Sequence, residues 1–428
     1  MKVSTRPIAA CQSHVVRWRF PDPNDVPETE RRTALLLAID RFWQKFSQTA
    51  PEIVKTFSRD SELDIAEFMH QHLSVIDQRL MWEYGRGARG PGHRLVITPE
   101  SERALRPLVD TLLSRAPALP DWEFYAHRLA EPVEEAIATV EGRTQVDMSN
   151  WQVQASLGEH HLLDLKWLLP PDTRGENLQY AAFVASEALL GEQTMVTWIG
   201  EISVEERPRR RALSRLFGRS EASTQTEPGP DSLKSRVDSL IAEIDGNLPA
   251  EPQSAIDHEQ GVEYTLFTLE PTEDEADYAG RFDLFTSVTA GLPEMWQAAH
   301  CNLAFCSRRF SKHGETFCYA KLDGRDSADH GDIDARANIE DALNEALRPN
   351  GLGAVVGGGT GRRYTYIDLS IRHLDHGLAE VRRVLQSVGV PTRSWLLFFD
   401  DHLADEWLGI YDATPAPPTG EADEADEA

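Results

Sequence analysis

Residues 354–371, AVVGGGTGRRYTYIDLSI, constrain the fold of this chain more than any other stretch. From residue 364 onward the side chains alternate between an apolar face and a polar, aromatic face that carries Tyr364, Tyr366 and Asp368. Strict alternation predicts a β-strand whose two faces meet different surroundings. The glycines before it predict a tight hairpin, because glycine reaches backbone conformations that other residues avoid.

Two helical patterns and further strand patterns flank this hairpin. They follow the order β-α-β-β-α-β, which is that of the ferredoxin-like split βαβ motif. Each helical pattern has an apolar stripe at three- and four-residue spacing and stops at a glycine, as expected of amphipathic helices that cover a sheet. Residues 232–413 are therefore predicted to form a ferredoxin-like α+β domain.

The N-terminal half mixes helical and strand patterns in a different order. Residues 31–206 begin with an amphipathic helix, predicted to run from Thr33 to just before Pro51, and continue as two successive strand-and-helix units. We predict a mixed α+β domain with an antiparallel sheet. The remaining segments are predicted to be an N-terminal arm (1–30), an arginine-rich linker (207–231) and an acidic disordered tail (414–428).

Composition limits the classes of partner. A chain of 428 residues favours two domains. Its net charge of -27, from 70 acidic and 43 basic residues, disfavours nucleic acid and anionic membranes as partners. Four cysteines are too few for a disulfide framework, and no segment has the length and apolarity of a membrane span. We therefore expect a cytoplasmic protein.

One rim of the predicted ferredoxin-like sheet is a candidate anion site. With strand order 4-1-3-2, and with the first and third strands taken as parallel, the glycine loop and the end of the fourth strand should share that rim. Backbone N–H groups and arginines would then cradle an anion. The alternative is a tight hairpin with surface ion pairs, which turn chemistry alone explains. The predicted ligand-binding residues are Gly357, Gly358, Gly359, Gly361, Arg362, Arg363, Asp400 and Asp401.

The polar face of the strand is a second candidate site. Ferredoxin-like sheets bind partners on an open face, and aromatic residues there stack on bases in proteins that bind single strands. Because the chain is acidic, we predict instead that Tyr364, Tyr366 and Asp368 form a protein interface, either with the other domain or with a second copy.

Metal and cofactor motifs are weak in this sequence. Asp323, Asp326, Asp329 and Asp332 recur at intervals of three, whereas an EF-hand places its ligands at alternate positions. We interpret this segment as a solvated acidic loop. The cysteines lack C-x-x-C spacing, and the glycine stretch lacks both phosphate-binding fingerprints. We therefore expect no metal and no cofactor.

The N-terminal half resembles an uncharacterised bacterial domain family. The resemblance rests on an FW-x-x-F helix starting at Phe42, a Pro-x-W strand starting at Pro120, and a helix that ends Leu-Leu-Gly-Glu at residues 189–192. It covers about 170 residues, and it implies no activity and no catalytic residue.

Three functional hypotheses follow. The first is a non-catalytic binding or regulatory protein that acts through its α+β domains, because no G-x-S-x-G, H-E-x-x-H or similar catalytic motif is present. The second is an enzyme for a small anionic substrate, in which Arg362 and Arg363 bind the substrate and Asp400 acts as the base. The third is an immunity-type protein that neutralises a basic partner.

Overall fold

The computed structural model describes residues 16–207, 229–254, 257, 261–272, 277–301, 303–324 and 333–419, without the side chains of residues 333 and 334. The protein is of the α+β class. The helices are α1 (Val26–Phe57), α2 (Ile65–His72), α3 (Arg106–Ser114), α4 (Val133–Thr144), α5 (Leu178–Leu190), α6 (Glu192–Trp198), α7 (Leu233–Asn247), α8 (Pro293–His300), α9 (Ile333–Leu347) and α10 (Leu374–Ser387). The strands are β1 (Met81–Arg86), β2 (His93–Thr98), β3 (Trp122–Tyr125), β4 (Gln152–Leu157), β5 (Leu163–Leu169), β6 (Ile199–Glu206), β7 (Tyr264–Thr268), β8 (Leu284–Ala290), β9 (Thr316–Asp323), β10 (Gly353–Gly361), β11 (Tyr364–Ile371), β12 (Ser394–Phe398) and β13 (Trp407–Gly409).

The chain divides into two compact units, and each is assembled from separate stretches of sequence. The first unit comprises the described residues of Met1–Leu80, Ser101–Pro120 and Pro249–Ala428, and the second those of Met81–Glu100 and Asp121–Leu248. This division differs from the contiguous ranges expected from the sequence. Helix α1 belongs with the C-terminal sheet, and α7, expected in the C-terminal domain, packs on β4 of the second unit.

A seven-stranded antiparallel sheet forms the centre of the first unit. Its strands lie in the order β13-β12-β9-β11-β10-β8-β7, and every neighbouring pair is antiparallel. On one face, apolar side chains of β9, β11 and β12 form a buried core with α9 and α10. The alternation predicted for residues 364–371 is seen directly, since Ile367 and Leu369 face these helices while Tyr364 and Tyr366 belong to a cluster on the other face.

The N-terminal segment joins this same core. Phe20 stacks on Phe398, with ring centroids 5.3 Å apart. The Glu406 carboxylate accepts hydrogen bonds from the backbone N–H groups of Trp18, Arg19 and Phe20, at 2.7, 3.0 and 2.9 Å. One buried carboxylate from the C-terminal part of the chain therefore fixes three consecutive N-terminal residues.

Helix α1 is longer than its apolar pattern predicts. The Asp25 side chain accepts a hydrogen bond from the Glu28 N–H and caps the helix, so α1 begins at Val26 instead of Thr33. It continues through Pro51, where we expected it to end. Proline removes one helical hydrogen bond, and here the surrounding packing outweighs that loss.

The second unit contains two small sheets of the same plan. In each, a hairpin is followed by a strand that pairs in parallel, giving the orders β1-β2-β3 and β4-β5-β6. The expectation of an antiparallel sheet is therefore correct only for the hairpins. The core of the β4-β5-β6 sheet includes Trp167, which is fully buried and donates its indole N–H to the Ser186 hydroxyl at 3.0 Å.

Candidate functional site

The glycines predicted to form a loop lie inside strand β10. Gly357, Gly358 and Gly359 pair with β8 on one side and with β11 on the other, and none has a positive φ. A Cβ on Gly357 would lie 2.3 Å from the Val288 carbonyl oxygen, and one on Gly358 would lie 2.6 Å from the Tyr366 carbonyl oxygen. The glycines thus permit close approach of neighbouring strands, which corrects their interpretation as a loop.

The hairpin turn consists of Arg362 and Arg363, and Asp283 binds its backbone. The buried Asp283 carboxylate accepts hydrogen bonds from the N–H groups of Arg363 and Tyr364, both at 2.9 Å. The Arg362 N–H donates to the Asp283 carbonyl oxygen at 3.0 Å. A Cβ on Gly361 would lie 2.3 Å from this carboxylate. An internal carboxylate therefore already occupies the turn that was predicted to bind an external anion.

The Arg363 side chain belongs to a cluster of alternating charges. Its guanidinium contacts the carboxylates of Asp323 at 2.9 Å and Asp277 at 3.1 Å. Arg393 contacts the same two carboxylates. Both guanidinium groups are therefore engaged with internal anions, and Asp326, Asp329 and Asp332 of the predicted acidic loop lie outside the described residues.

The expectation that these arginines share one rim of the sheet with Asp400 and Asp401 is wrong. β11 runs antiparallel to β9, so its first residue, Tyr364, pairs with Asp323 at the end of β9. β12 is also antiparallel to β9, so the end of β12 lies beside the start of β9. The arginines before β11 and the carboxylates after β12 consequently lie at opposite ends of the sheet. The error came from taking the first and third strands as parallel.

Asp400 and Asp401 instead fix the segment that precedes β9. The buried Asp400 carboxylate accepts hydrogen bonds from the Ser307 N–H at 2.7 Å and from the Ser307 hydroxyl, and Asp401 accepts one from the Phe305 N–H at 3.1 Å. Burial raises the pKa of Asp400, and the hydrogen bonds from Ser307 act against that rise. These contacts hold two loops together.

The sheet face with Tyr364, Tyr366 and Asp368 is covered, and the expectation of an open face is wrong. The exposed fractions of these residues are 0%, 0% and 1%. Residues 277–283, which we call the strap, lie over this face and place Tyr278 in the aromatic cluster. The Tyr366 hydroxyl donates to Asp283 of the strap.

A buried ion pair links the strap to the middle of β11. Arg281 donates to Asp368 at 2.6 Å, and both side chains are almost fully buried. The guanidinium carbon lies 5.1 Å from the Tyr319 ring centroid and 4.9 Å from that of Tyr366, in reach of cation–π attraction. Burial raises the pKa of Asp368, while the Arg281 charge lowers it. Asp368 therefore has a structural partner within the chain.

Lys321 lies beneath the strap and is fully buried. Its ammonium donates to the carbonyl oxygens of Tyr278 and of Gly280, the latter at 2.9 Å, and lies 4.1 Å from the Tyr364 ring centroid. Burial lowers its pKa to about 8, although the Asp283 and Asp277 charges act in the opposite direction. Sequence reasoning missed this residue, because a lysine inside an apolar strand gives no signal of what covers it.

A cavity of about 20 Å³ lies on the same face of the first unit. The buried Ser370 hydroxyl, which has no hydrogen-bond partner among the described residues, and Glu315 contribute to its lining together with apolar side chains. This volume has room for about one water molecule. None of the predicted ligand-binding residues lines it.

The outer edge of the sheet, β7, is the most exposed strand of the first unit. Tyr264 and Leu266 are 61% and 64% exposed. The Gly291 N–H donates to the Glu263 carbonyl oxygen and the Leu269 N–H donates to the Phe285 carbonyl oxygen, so odd-numbered residues bond to β8. The backbone groups of the even-numbered residues therefore point away from the sheet, and no described strand pairs with them.

On the face opposite Tyr264 and Leu266, aromatic rings stack against β7. Phe267 stacks on Trp296 with centroids 4.0 Å apart, and Trp296 stacks on His300 with centroids 3.9 Å apart. Burial, with a smaller contribution from the Arg281 charge, lowers the pKa of His300 to about 3, so its ring is neutral near pH 7. The edge strand is thus rigidly backed on one face and open on the other. Sequence reasoning missed it, although YTLFT carries the alternation of a short strand.

The second unit contains a charged cluster of its own. The Arg128 guanidinium contacts Glu100, Glu187 and Glu83, and its backbone N–H donates to Glu192 at 3.0 Å. Burial raises the pKa of Glu187, while the Arg128 charge lowers it. One arginine thus balances several carboxylates.

Within the part of the chain that the structure describes, no cluster of three or more His, Cys, Asp or Glu side chains has the geometry of a metal site. In the same residues, no helix combines the length and apolarity needed to cross a bilayer. Comparison with models of known families, with curated proteins and with solved structures finds no match to this chain. The family resemblance of the N-terminal half therefore contributes no functional residue.

Proposed function

We propose that this chain is a non-catalytic binding or regulatory protein that captures a protein partner at the edge strand β7. The observation that carries the proposal is the combination of outward-facing backbone groups with exposed Tyr264 and Leu266 on one short strand. Sheet edges are usually shielded by charges, prolines, bulges or covering elements. The five residues of β7 include no charged residue, no proline and no bulge, and no described strand pairs with their outer side. An apolar edge of this kind is the template that peptide-binding domains use when they add a strand.

The extent of the helices that cover the sheet supports a binding role for β7. Helix α9 reaches β10, where Arg336 donates to the Thr360 hydroxyl at 3.2 Å and Glu340 lies against Gly358. Beyond β10, the side chains of Val288 on β8 and of β7 on the same face remain partly or fully exposed. A partner strand beside β7 would bury apolar side chains and satisfy backbone groups together.

The enzyme hypothesis finds less support. It requires a concave site that holds Arg362, Arg363 and Asp400 together, and these residues lie at opposite ends of the sheet. Arg363 is bound to internal carboxylates. None of these three residues lines the cavity of about 20 Å³ described above.

The proposal also includes the detailed fold of the first unit and the cellular location of the protein. We propose that residues 316–398 form a ferredoxin-like sandwich, supported by the strand order β12-β9-β11-β10 and by two helices on one face. A cytoplasmic location is supported by the free thiols of Cys301, Cys306 and Cys318. The predicted domain boundary within residues 207–231 does not match the division into units, because the second unit continues to Leu248. Residues 208–228 of the predicted linker lie outside the described part of the chain.

The proposal is tested by site-specific photo-crosslinking of the full chain in its native cells. Leu266 is replaced by p-benzoylphenylalanine, with the equally exposed Val75 as the control position. We expect a discrete protein adduct at position 266 that is absent at position 75. The adduct should disappear when Thr268→Pro is added, because that change removes an outward N–H without breaking a bond to β8.

Any of three results would contradict a binding role for β7. The first is the absence of any adduct at position 266. The second is the same set of adducts at both positions, and the third is an adduct that persists with Thr268→Pro. An adduct of twice the mass of the chain would identify a second copy as the partner.

A further inference from the structure

The charged residues next to β7 along the chain are all of one sign. In the described stretch 261–272, Glu263 and Glu270 are the acidic or basic residues, and both are exposed. They flank the five residues of β7. The whole chain carries a net charge of -27. An occupant of this edge therefore meets a negative potential at both ends of the strand and at long range.

The apolar side chains of β7 specify the pattern of the occupant. Tyr264, Leu266 and Thr268 share one face, on which Leu266 pairs with Val288 of β8. Side chains of an added strand alternate between faces, and those on this face lie directly beside Tyr264 and Leu266. An occupant therefore buries the most apolar surface if every second residue of its strand is apolar. On the opposite face, the half-buried Phe267 leaves less apolar surface to cover.

A second copy of the chain fits this edge poorly on electrostatic grounds. Two copies would bring together molecules of charge -27 each. Each copy would also add its own Glu263 and Glu270 to a junction that contains no ionised basic group among residues 261–272. Juxtaposed like charges oppose association and suppress wrong partners.

Resting on the binding function proposed above, we infer that the occupant of β7 is an extended, basic segment of a protein partner. The segment adds an eighth strand to the sheet through the outward backbone groups of Tyr264, Leu266 and Thr268. Alternate apolar side chains cover Leu266, and lysine or arginine residues at its ends lie beside Glu263 and Glu270.

The inference is tested by selecting peptides of about ten residues, enough for one strand and its flanks, from a random display library on the full chain. The Leu266→Pro variant serves for counter-selection, because proline at this position removes an outward N–H and spares the bonds to β8. We expect the enriched peptides to alternate apolar residues and to carry a net positive charge. Their binding should weaken about tenfold or more when NaCl is raised from about 0.1 M to about 1 M.

A charge-reversal variant is the matched control. Glu263→Lys with Glu270→Lys keeps the backbone and the apolar side chains of β7 and reverses the charges at its ends. Selection on this variant should lose the preference for basic peptides. If the preference for basic peptides is unchanged, the inferred role of the two glutamates is wrong.

The remaining outcomes separate the inference from the proposed function. Enriched peptides that depend on Leu266 but carry no positive charge would overturn the basic partner and leave the edge as a binding site. If sedimentation shows a dimer that Leu266→Pro abolishes, the inferred basic partner is also wrong. The edge is then a binding site for a second copy of the chain. If no peptide distinguishes the chain from Leu266→Pro and the chain is monomeric, both the inference and the proposed edge function are wrong.

Discussion

At the scale of single residues, the charges beneath the strap form a balanced set. Three carboxylates lie close to two guanidinium groups and one buried ammonium: Asp277, Asp283, Asp323, Arg363, Arg393 and Lys321. The set is neutral when Lys321 is protonated. Burial of isolated charges is costly, and mutual pairing with full hydrogen bonding offsets that cost. Burial lowers the pKa of Lys321 to about 8, so its protonation changes close to neutral pH.

Lys321 therefore predicts a specific dependence of stability on pH. Its pKa is about 8 in the folded protein and near the ordinary lysine value of 10.5 in the unfolded chain. Between these values the unfolded chain binds more protons, so the free energy of unfolding rises with pH. Relative to Lys321→Met, we expect the native protein to gain about 2 kcal/mol between about pH 7.5 and about pH 9.5. Urea titrations of both proteins measure this difference, in which the contributions of the tyrosines cancel.

A constant difference between the two proteins across this range would show that Lys321 titrates normally in the fold. A difference that moves in the opposite direction would mean that the neighbouring carboxylates raise its pKa more than burial lowers it.

At the scale of the elements, β10 shows what the sequence could and could not indicate. The run of glycines predicted a special backbone, and the structure uses that freedom for close packing between β8 and β11. The alternation from Tyr364 correctly predicted β11 and the division of its side chains between two faces. The identity of the cover could not be predicted, because the strap lies more than 80 residues earlier in the chain, as its Asp283 hydrogen bond to Tyr366 shows.

Because β10 packs closely against its neighbouring strands, we predict that one added methyl group in this strand lowers stability strongly. In Gly357→Ala, the new Cβ would meet the Val288 carbonyl oxygen, which is held in the ladder between β8 and its neighbours. We expect the free energy of unfolding to fall by about 1 to 3 kcal/mol. Chemical denaturation followed by far-UV circular dichroism measures the change.

The matched control is Gly142→Ala in helix α4, where a Cβ meets no atom within 4 Å. Alanine there should raise stability by about 0.5 to 1 kcal/mol, because glycine is unfavourable inside a helix. Equal effects at the two glycines would refute the role of close strand approach in β10.

At the scale of the whole molecule, net charge opposes folding while supporting solubility. The charge of -27 repels itself in the compact state. We therefore expect the melting temperature to rise between about 0.01 M and about 1 M NaCl, over which the Debye length falls from roughly 30 Å to roughly 3 Å. Scanning calorimetry measures the shift. A chain without residues 420–428, which hold five acidic residues, should show a smaller rise; a melting temperature that falls with salt would show that ion pairs dominate instead.

The sequence predicted the fold class well and the arrangement of the units poorly. Amphipathic patterns such as those of α9 and α10 are local, so the β-α-β-β-α-β order could be read directly. Strand direction, the added strands β7 and β8, and the packing of Phe20 on Phe398 depend on contacts between distant residues. The edge strand β7 was not predicted for the same reason. Whether a strand lies at the edge of a sheet depends on how all the other strands pair.

The binding of residues 18–20 by Glu406 has a consequence for synthesis of the chain. A ribosome releases the N-terminal segment long before it adds residue 406, so this segment lacks its hydrogen-bond acceptor until that residue has been synthesised. All stretches of the second unit emerge by residue 248. Domains generally fold as units during synthesis, in the order in which they emerge. The nascent chain can therefore complete the second unit first, and residues 18–20 join the first unit only after residue 406 has emerged.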